Sequence, residues 1–107
     1  MEKDSTESCE LYLDTQANKI VLEGAVIFNT VAALRAKGVA VINTLVNVNI
    51  DLSKVTHADS SALALLIAWL RDAKVQQKTI EYHNLPQKML DLGLFNGLDV
   101  VLPIFKK

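Results

Sequence analysis

The run Asp51-Leu52-Ser53-Lys54-Val55-Thr56-His57-Ala58-Asp59-Ser60-Ser61-Ala62-Leu63-Ala64-Leu65-Leu66 gathers acids, hydroxyls, a lysine and a histidine into one stretch of the 107-residue chain. It reads as the end of a strand, a polar loop, and a helix that opens on an acid and two hydroxyls. Ser60 is placed to cap the free N–H groups of that helix's first turn. The same place would receive a phosphate well, because helix N-termini favour negative charge and a phosphoserine adds acceptor oxygens. A plain cap and a phosphorylation site are both open readings of Ser60.

Other reactive side chains are scattered. Neither His57 nor His83 has a second His, Cys or carboxylate at metal-ligand spacing, and Asp59 two residues from His57 is too little for a site. Cys9 has no basic neighbour in sequence to activate its thiol. Gly24, Gly38, Gly93 and Gly97 are too dispersed for a phosphate-binding loop, and no nucleophile elbow appears. We therefore expect a protein that is not an enzyme, with no catalytic residue, no metal and no cofactor.

The elements that must hold the Asp59 segment can be read from periodicity. Leu11 and Leu13 alternate about Tyr12, Asp14-Thr15-Gln16-Ala17-Asn18 supplies turn chemistry, and Lys19 to Gly24 resumes with β-branched residues, which predicts a hairpin. Asn29 or Thr30 is expected to cap a first helix with Val31, Leu34, Val41 and Ile42 or Leu45 inward; Gly38 weakens it by propensity. Val46 to Leu52 alternates with period two and predicts a strand. A second helix runs from Ser60 or Ser61 to about Val75, Lys78 to Tyr82 forms a short strand, and Pro86 begins a helix carrying Met89, Leu90 and Leu92 that stops near Gly93. Leu98 to Phe105 is apolar but broken by Pro103, so it reads as an edge strand or a packed irregular end.

The order ββαβαβα implies an α/β (α+β) fold: a mixed sheet of about four to five strands with three or more helices. Residues 1–8 read as a disordered tail and 9–107 as a single domain, a size that buries a real core without disulfides. Even charge, 11 Lys+Arg against 12 Asp+Glu, argues against nucleic acid as a partner. The polar, acidic start does not read as a signal peptide. The longest apolar run, Ala62 to Leu70, falls far short of the roughly 20 residues of a membrane span. A soluble, cytoplasmic protein without direct membrane insertion is expected.

At about 100° per residue, Leu63, Leu66, Ile67 and Leu70 of the second helix fall toward the sheet. Ser61, Ala64, Ala68 and Asp72 face the other way, with Leu65 and Trp69 on the flank between. Small residues bordered by a leucine and a tryptophan would let another protein approach closely. Packing of Leu65 and Trp69 beneath a neighbouring helix is the alternative.

These features resemble a STAS domain (sulfate transporter and anti-sigma-factor antagonist family) over nearly the whole chain. The likeness lies in the hairpin, the Val46–Leu52 strand, Asp51-Leu52-Ser53-Lys54-Val55 and the helix start Asp59-Ser60-Ser61-Ala62-Leu63. Regulatory members carry a phosphorylatable serine directly after the aspartate, which maps onto Ser60; Ala62 stands where glycine is usual. Leu63-Ala64-Leu65-Leu66 and the ending Val101-Leu102-Pro103 are most similar to the family's MlaB group. The resemblance implies a non-catalytic subunit that binds the cytoplasmic ATPase of an Mla-type phospholipid ABC transporter and, through it, meets the permease at the inner membrane. That complex maintains outer-membrane lipid asymmetry. Asp59, Ser60, Ser61, Leu65, Ala68 and Trp69 would form the partner-binding face. The alternative is an anti-sigma-factor antagonist regulated by phosphorylation of Ser60.

Overall fold

A computed structural model describes residues 8–95. They form β1 (Cys9–Asp14), β2 (Lys19–Val26), α1 (Phe28–Ile42), β3 (Asn47–Ala58), α2 (Ser60–Val75), β4 (Thr79–His83) and α3 (Gln87–Phe95). The hairpin forms as its turn chemistry dictates: Asp14 accepts from the backbone N–H groups of Gln16 (3.1 Å) and Ala17 (3.2 Å), and Asn18 takes φ +54°. β1 and β2 pair antiparallel from Cys9 opposite Gly24 to Asp14 opposite Lys19. Ser8 was expected to belong to the tail, yet its carbonyl accepts from Ala25 N–H at 2.8 Å. Residues 1–7 and the expected edge strand over 98–105 lie outside the described residues.

The β2–β3 and β3–β4 pairs are parallel, giving the order β1-β2-β3-β4. Parallel neighbours need a crossover, and α1 and α2 supply it. The result is the expected α+β fold, a mixed four-stranded sheet with three helices. Ile20, Leu22, Val48, Ile50, Leu52, Ile80 and Tyr82 alternate onto the face the helices cover, and all are buried.

Several boundaries differ from the periodic reading. β3 does not end at Leu52 but runs to Ala58, so the expected polar loop is mostly strand. The alternation is lost there because the β2–β3 register shifts twice, between Val21 and Glu23 and between Gly24 and Ala25. α1 begins at Phe28, before Asn29 and Thr30, and α3 continues past Gly93 to Phe95.

Gly38 acquires a packing role that propensity does not show. A Cβ on it would come 2.4 Å from the indole of Trp69, so the ring lies directly against bare α1 backbone. Trp69 is fully buried and its Nε1–H donates to the Arg35 carbonyl at 3.3 Å. Tyr82, also fully buried, donates its hydroxyl to the Leu66 carbonyl at 2.6 Å, and Lys78 Nζ donates to the Ile42 carbonyl at the end of α1 at 2.7 Å.

On the sheet face away from the core, Asp51 is 5% exposed. Its carboxylate accepts from Lys19 Nζ (2.7 Å), Ser53 N–H (2.9 Å) and Asn84 Nδ2 (3.1 Å). Burial alone would raise its pKa, but the bonds from Lys19, Ser53 and Asn84 outweigh it and hold the group well below the usual carboxylate range.

Three outcomes are expected. Asp51→Asn costs about 1–3 kcal/mol, toward the lower figure because water reaches the Lys19 end of the pair. Because the folded pKa is depressed, this stabilisation is fully present above the unfolded value of about 3.9 and fades as pH falls below it. Denaturant melts of both proteins should therefore diverge at neutral pH and converge in acid. Gly38→Ala should lower the melting temperature at a cost of about 1–3 kcal/mol, since overpacking against Trp69 exceeds the roughly 1 kcal/mol of helix propensity gained. Leu66→Ala, in the fully buried core, should cost about 2–5 kcal/mol in the same melts.

Candidate functional site

Val26 and Ala58 end β2 and β3 side by side in register, so α1 and α2 begin next to each other. Asp59 sits between the two helix starts. Its backbone is extended (φ −129°, ψ −171°), and its side chain accepts from Ser61 N–H at 2.8 Å, capping α2. The other carboxylate oxygen accepts from Phe28 N–H at 3.1 Å, in the first turn of α1. The cap is thus Asp59 and not Ser60, the expected residue. Aspartate reaches the second residue of the helix from outside it, while Ser60 has already taken helical backbone. Ser60 is left as an exposed hydroxyl at the first position of α2.

The start of α1 is held in its own way. Ile27 occupies the cap position with extended backbone and cannot accept a hydrogen bond through its side chain. Thr30, expected as a cap, instead reaches back from within the helix. Its Oγ1 accepts from Ile27 N–H at 3.0 Å and lies 2.8 Å from the Ala25 carbonyl, to which it can donate.

Along α2 the structure divides the expected partner face. Ser60 and Ala64 are exposed, and Ser61, Ala68 and Asp59 are half-buried. Leu65 and Trp69 are not on an exposed flank: they are 3% and 0% exposed and belong to the core. The reason is α1, which lies against that side of α2 and takes Trp69 over Gly38. Ile67, expected inward, is only half-buried.

Between α1 and α2 runs a mainly apolar groove of about 570 Å³. Phe28, Ala32 and Arg35 wall it from α1, and Ser61, Ala64 and Ala68 from α2, with Leu65 also lining it. Arg35 does not bring free charge into the groove, since its guanidinium pairs with Asp72 across the two helices at 3.0 Å. Phe28 is 76% exposed. Sequence reasoning missed it, because nothing in a phenylalanine directly before Asn29 and Thr30 tells that it points outward.

The scattered reactive groups stay apart from this site. His57 is exposed with Nδ1 3.1 Å from Thr56 Oγ1, and His83 lies on the opposite face of the sheet, 3.3 Å from Glu81 and 3.1 Å from Asn49. Burial pushes the Cys9 thiol up to about 11, with the Glu10 and Glu23 carboxylates adding to it, so the thiol is protonated at neutral pH. Among the described residues no three His, Cys, Asp or Glu side chains are grouped to hold a metal ion.

Solved structures share this architecture. An anti-sigma factor antagonist from Mycobacterium paratuberculosis superposes with a TM-score of 0.75 at 20% identity, covering 94% of this chain and 88% of that one. The phosphorylated form of the Bacillus cell fate determinant SpoIIAA gives 0.66 at 18% identity over 92% and 90%. An anti-sigma-factor antagonist (STAS) domain protein from Planctomyces limnophilus gives 0.66 at 18% over 94% and 91%. At these identities the likeness is one of fold. No curated protein matches the chain. Residues 9–103 match the family described as "Mlab, STAS domain". With the hairpin, the mixed sheet and the Asp59-Ser60 helix tip in place, the chain belongs to the STAS domain family, in its MlaB-type branch.

Proposed function

We propose that this domain acts by protein–protein contact, docking on the cytoplasmic ATPase subunit of an Mla-type phospholipid ABC transporter and supporting its assembly and activity. The observation that carries this reading is the match of residues 9–103 to the MlaB-type family. The geometry supports it through the α2 tip, where Ser60, Ser61, Ala64 and Ala68 present small side chains that a partner can approach closely. Asp59 serves this face by holding it. Leu65 and Trp69 serve it from beneath, as its packed support. No helix among the described residues is long and apolar enough to cross a membrane, which fits a domain held at the inner membrane by its partner.

A second reading has its own support. Anti-sigma factor antagonists share the fold, and SpoIIAA is known in unphosphorylated and phosphorylated forms. In this chain the serine following Asp59 is exposed. Under this reading a serine kinase binds the same face and phosphorylates Ser60, and the added charge breaks the contact by desolvation cost.

The two readings separate in one experiment. The chain is offered the ATPase encoded with its own transporter, and separately a cognate serine kinase with ATP. Retention of the ATPase supports the subunit; phosphate on Ser60 with loss of binding supports the antagonist. Ser60→Glu and Ala64→Asp should each weaken partner binding roughly tenfold or more, about 1.4 kcal/mol. Their circular dichroism and melting temperature should hold, because an acid in the first helical turn suits the helix dipole and Ala64 is exposed. Leu65→Asp should instead unfold the domain, since it buries an unpaired charge.

A further inference from the structure

We infer that Phe28 is the apolar anchor of the docking surface, and that Asp59 is the positioning residue that presents Phe28 and Ser60 as one rigid epitope. This rests on the reading of the α2 tip as a protein-binding face and deepens it. Four large apolar or aromatic side chains are exposed among the described residues: Tyr12, Phe28, Val46 and Val75. Of these, Phe28 borders the groove between α1 and α2, beside Ser61 and Ala64. Tyr12 is on the hairpin, with its hydroxyl donating to Glu23 at 3.1 Å, and Val75 is at the far end of α2. Aromatic side chains are enriched at the buried centre of protein interfaces, where a rigid ring contributes area at small entropic cost.

A ring 76% exposed can act as an anchor only if its backbone is fixed before the partner arrives. Phe28 meets that condition twice. Its N–H donates to Asp59, whose other oxygen holds Ser61 N–H, so one carboxylate ties the first turns of both helices. The preceding residue, Ile27, donates its N–H to Thr30 Oγ1, which also reaches the Ala25 carbonyl. Ser60 lies between the clamp residue and Ser61, so its backbone is held relative to that of Phe28 by the same bonds.

The surroundings define the occupant. The Asp59 carboxylate is engaged by two N–H groups, and Arg35 is neutralised by Asp72. The walls at Ala32, Ala64 and Ala68 are small and uncharged. Such a surface complements a folded protein that offers an uncharged apolar pocket for a phenyl ring, bordered by a group able to hydrogen-bond the Ser60 hydroxyl.

The test is a double-mutant cycle on the full chain, measured as affinity for the transporter ATPase subunit, alongside the amide NMR spectrum of the free chain. Asp59→Asn keeps an acceptor for one N–H and sets an NH2 group against the other. In the free protein it should shift the Phe28 or Ser61 amide proton upfield, with melting temperature lowered by a few degrees at most. Phe28→Ala should weaken binding roughly 30-fold, a hot-spot loss of about 2 kcal/mol. Asp59→Asn should weaken binding in the presence of Phe28 and by a clearly smaller factor in Phe28→Ala, where only the positioning of Ser60 remains to be lost, a coupling that a purely structural cap would not produce. Additive effects, or unchanged binding by Phe28→Ala, would overturn the proposal. A chain that sediments as a dimer dissociated by Phe28→Ala would also overturn it, by making a second copy the occupant. If the ATPase fails to bind the wild-type chain, the transporter reading falls. The anchor for that partner falls with it, whereas bound ATPase with additive or absent mutational effects removes the anchor alone.

Discussion

The absence of a side chain at Gly38 is the constraint on which the helical layer depends. It lets the Trp69 indole lie against the backbone of α1, close enough for Nε1–H to reach the Arg35 carbonyl. Any larger residue would push the two helices apart, and the groove between their outer faces would change width with them. Tyr82 fastens α2 to the sheet through the Leu66 carbonyl, and Lys78 closes the far end of α1 through the Ile42 carbonyl. α2 is thus fixed from beneath and from the side, which leaves its tip and outer stripe as the surface available for contact.

Two carboxylates on or beside β3 divide the remaining polar work. Asp51 is buried on the face away from the described helices and ties β2, β3 and the turn after β4 through Lys19, Ser53 and Asn84. Asp59, just beyond the end of the same strand, ties the starts of α1 and α2. Each uses both of its oxygens, so the charge of neither is left uncompensated where it is partly or wholly removed from water. The sheet carries one at mid-strand and one at its rim, and the rim is where the candidate site lies.

The candidate site is a surface of small groups around one ring. Its exposed groups are a hydroxyl, small aliphatic side chains and one aromatic ring, held by backbone hydrogen bonds at the junction of a strand pair and two helices. The ionisable groups that could do chemistry elsewhere are dispersed: His57 next to the last residue of β3, His83 on β4, and Cys9 with its thiol held protonated by burial. Under the proposed reading, a STAS domain so arranged offers shape and the exposed Ser60 hydroxyl to another polypeptide.

The linear order of residues determined the hairpin, because Asp14 to Asn18 carries turn chemistry and its flanks alternate. It determined the ββαβαβα order and the position of Ser60 at a helix start, and the motif around Asp59 pointed to the family. Only the tertiary structure decided which sides of α2 meet water. Helical periodicity places Leu65 and Trp69 on one flank but cannot tell whether another helix lies there, and α1 does. Likewise the strand reading stopped at Leu52 because register shifts against β2 break the period of two, although the pairing continues to Ala58. Asp59 rather than Ser60 became the cap for a local reason, since Ser60 is already the first helical residue. The second Asp59 bond, to the N–H of Phe28, whose ring is exposed, depends on two helix starts meeting at the end of the sheet. Such a meeting joins residues about 30 positions apart, and no local pattern of residue types encodes it.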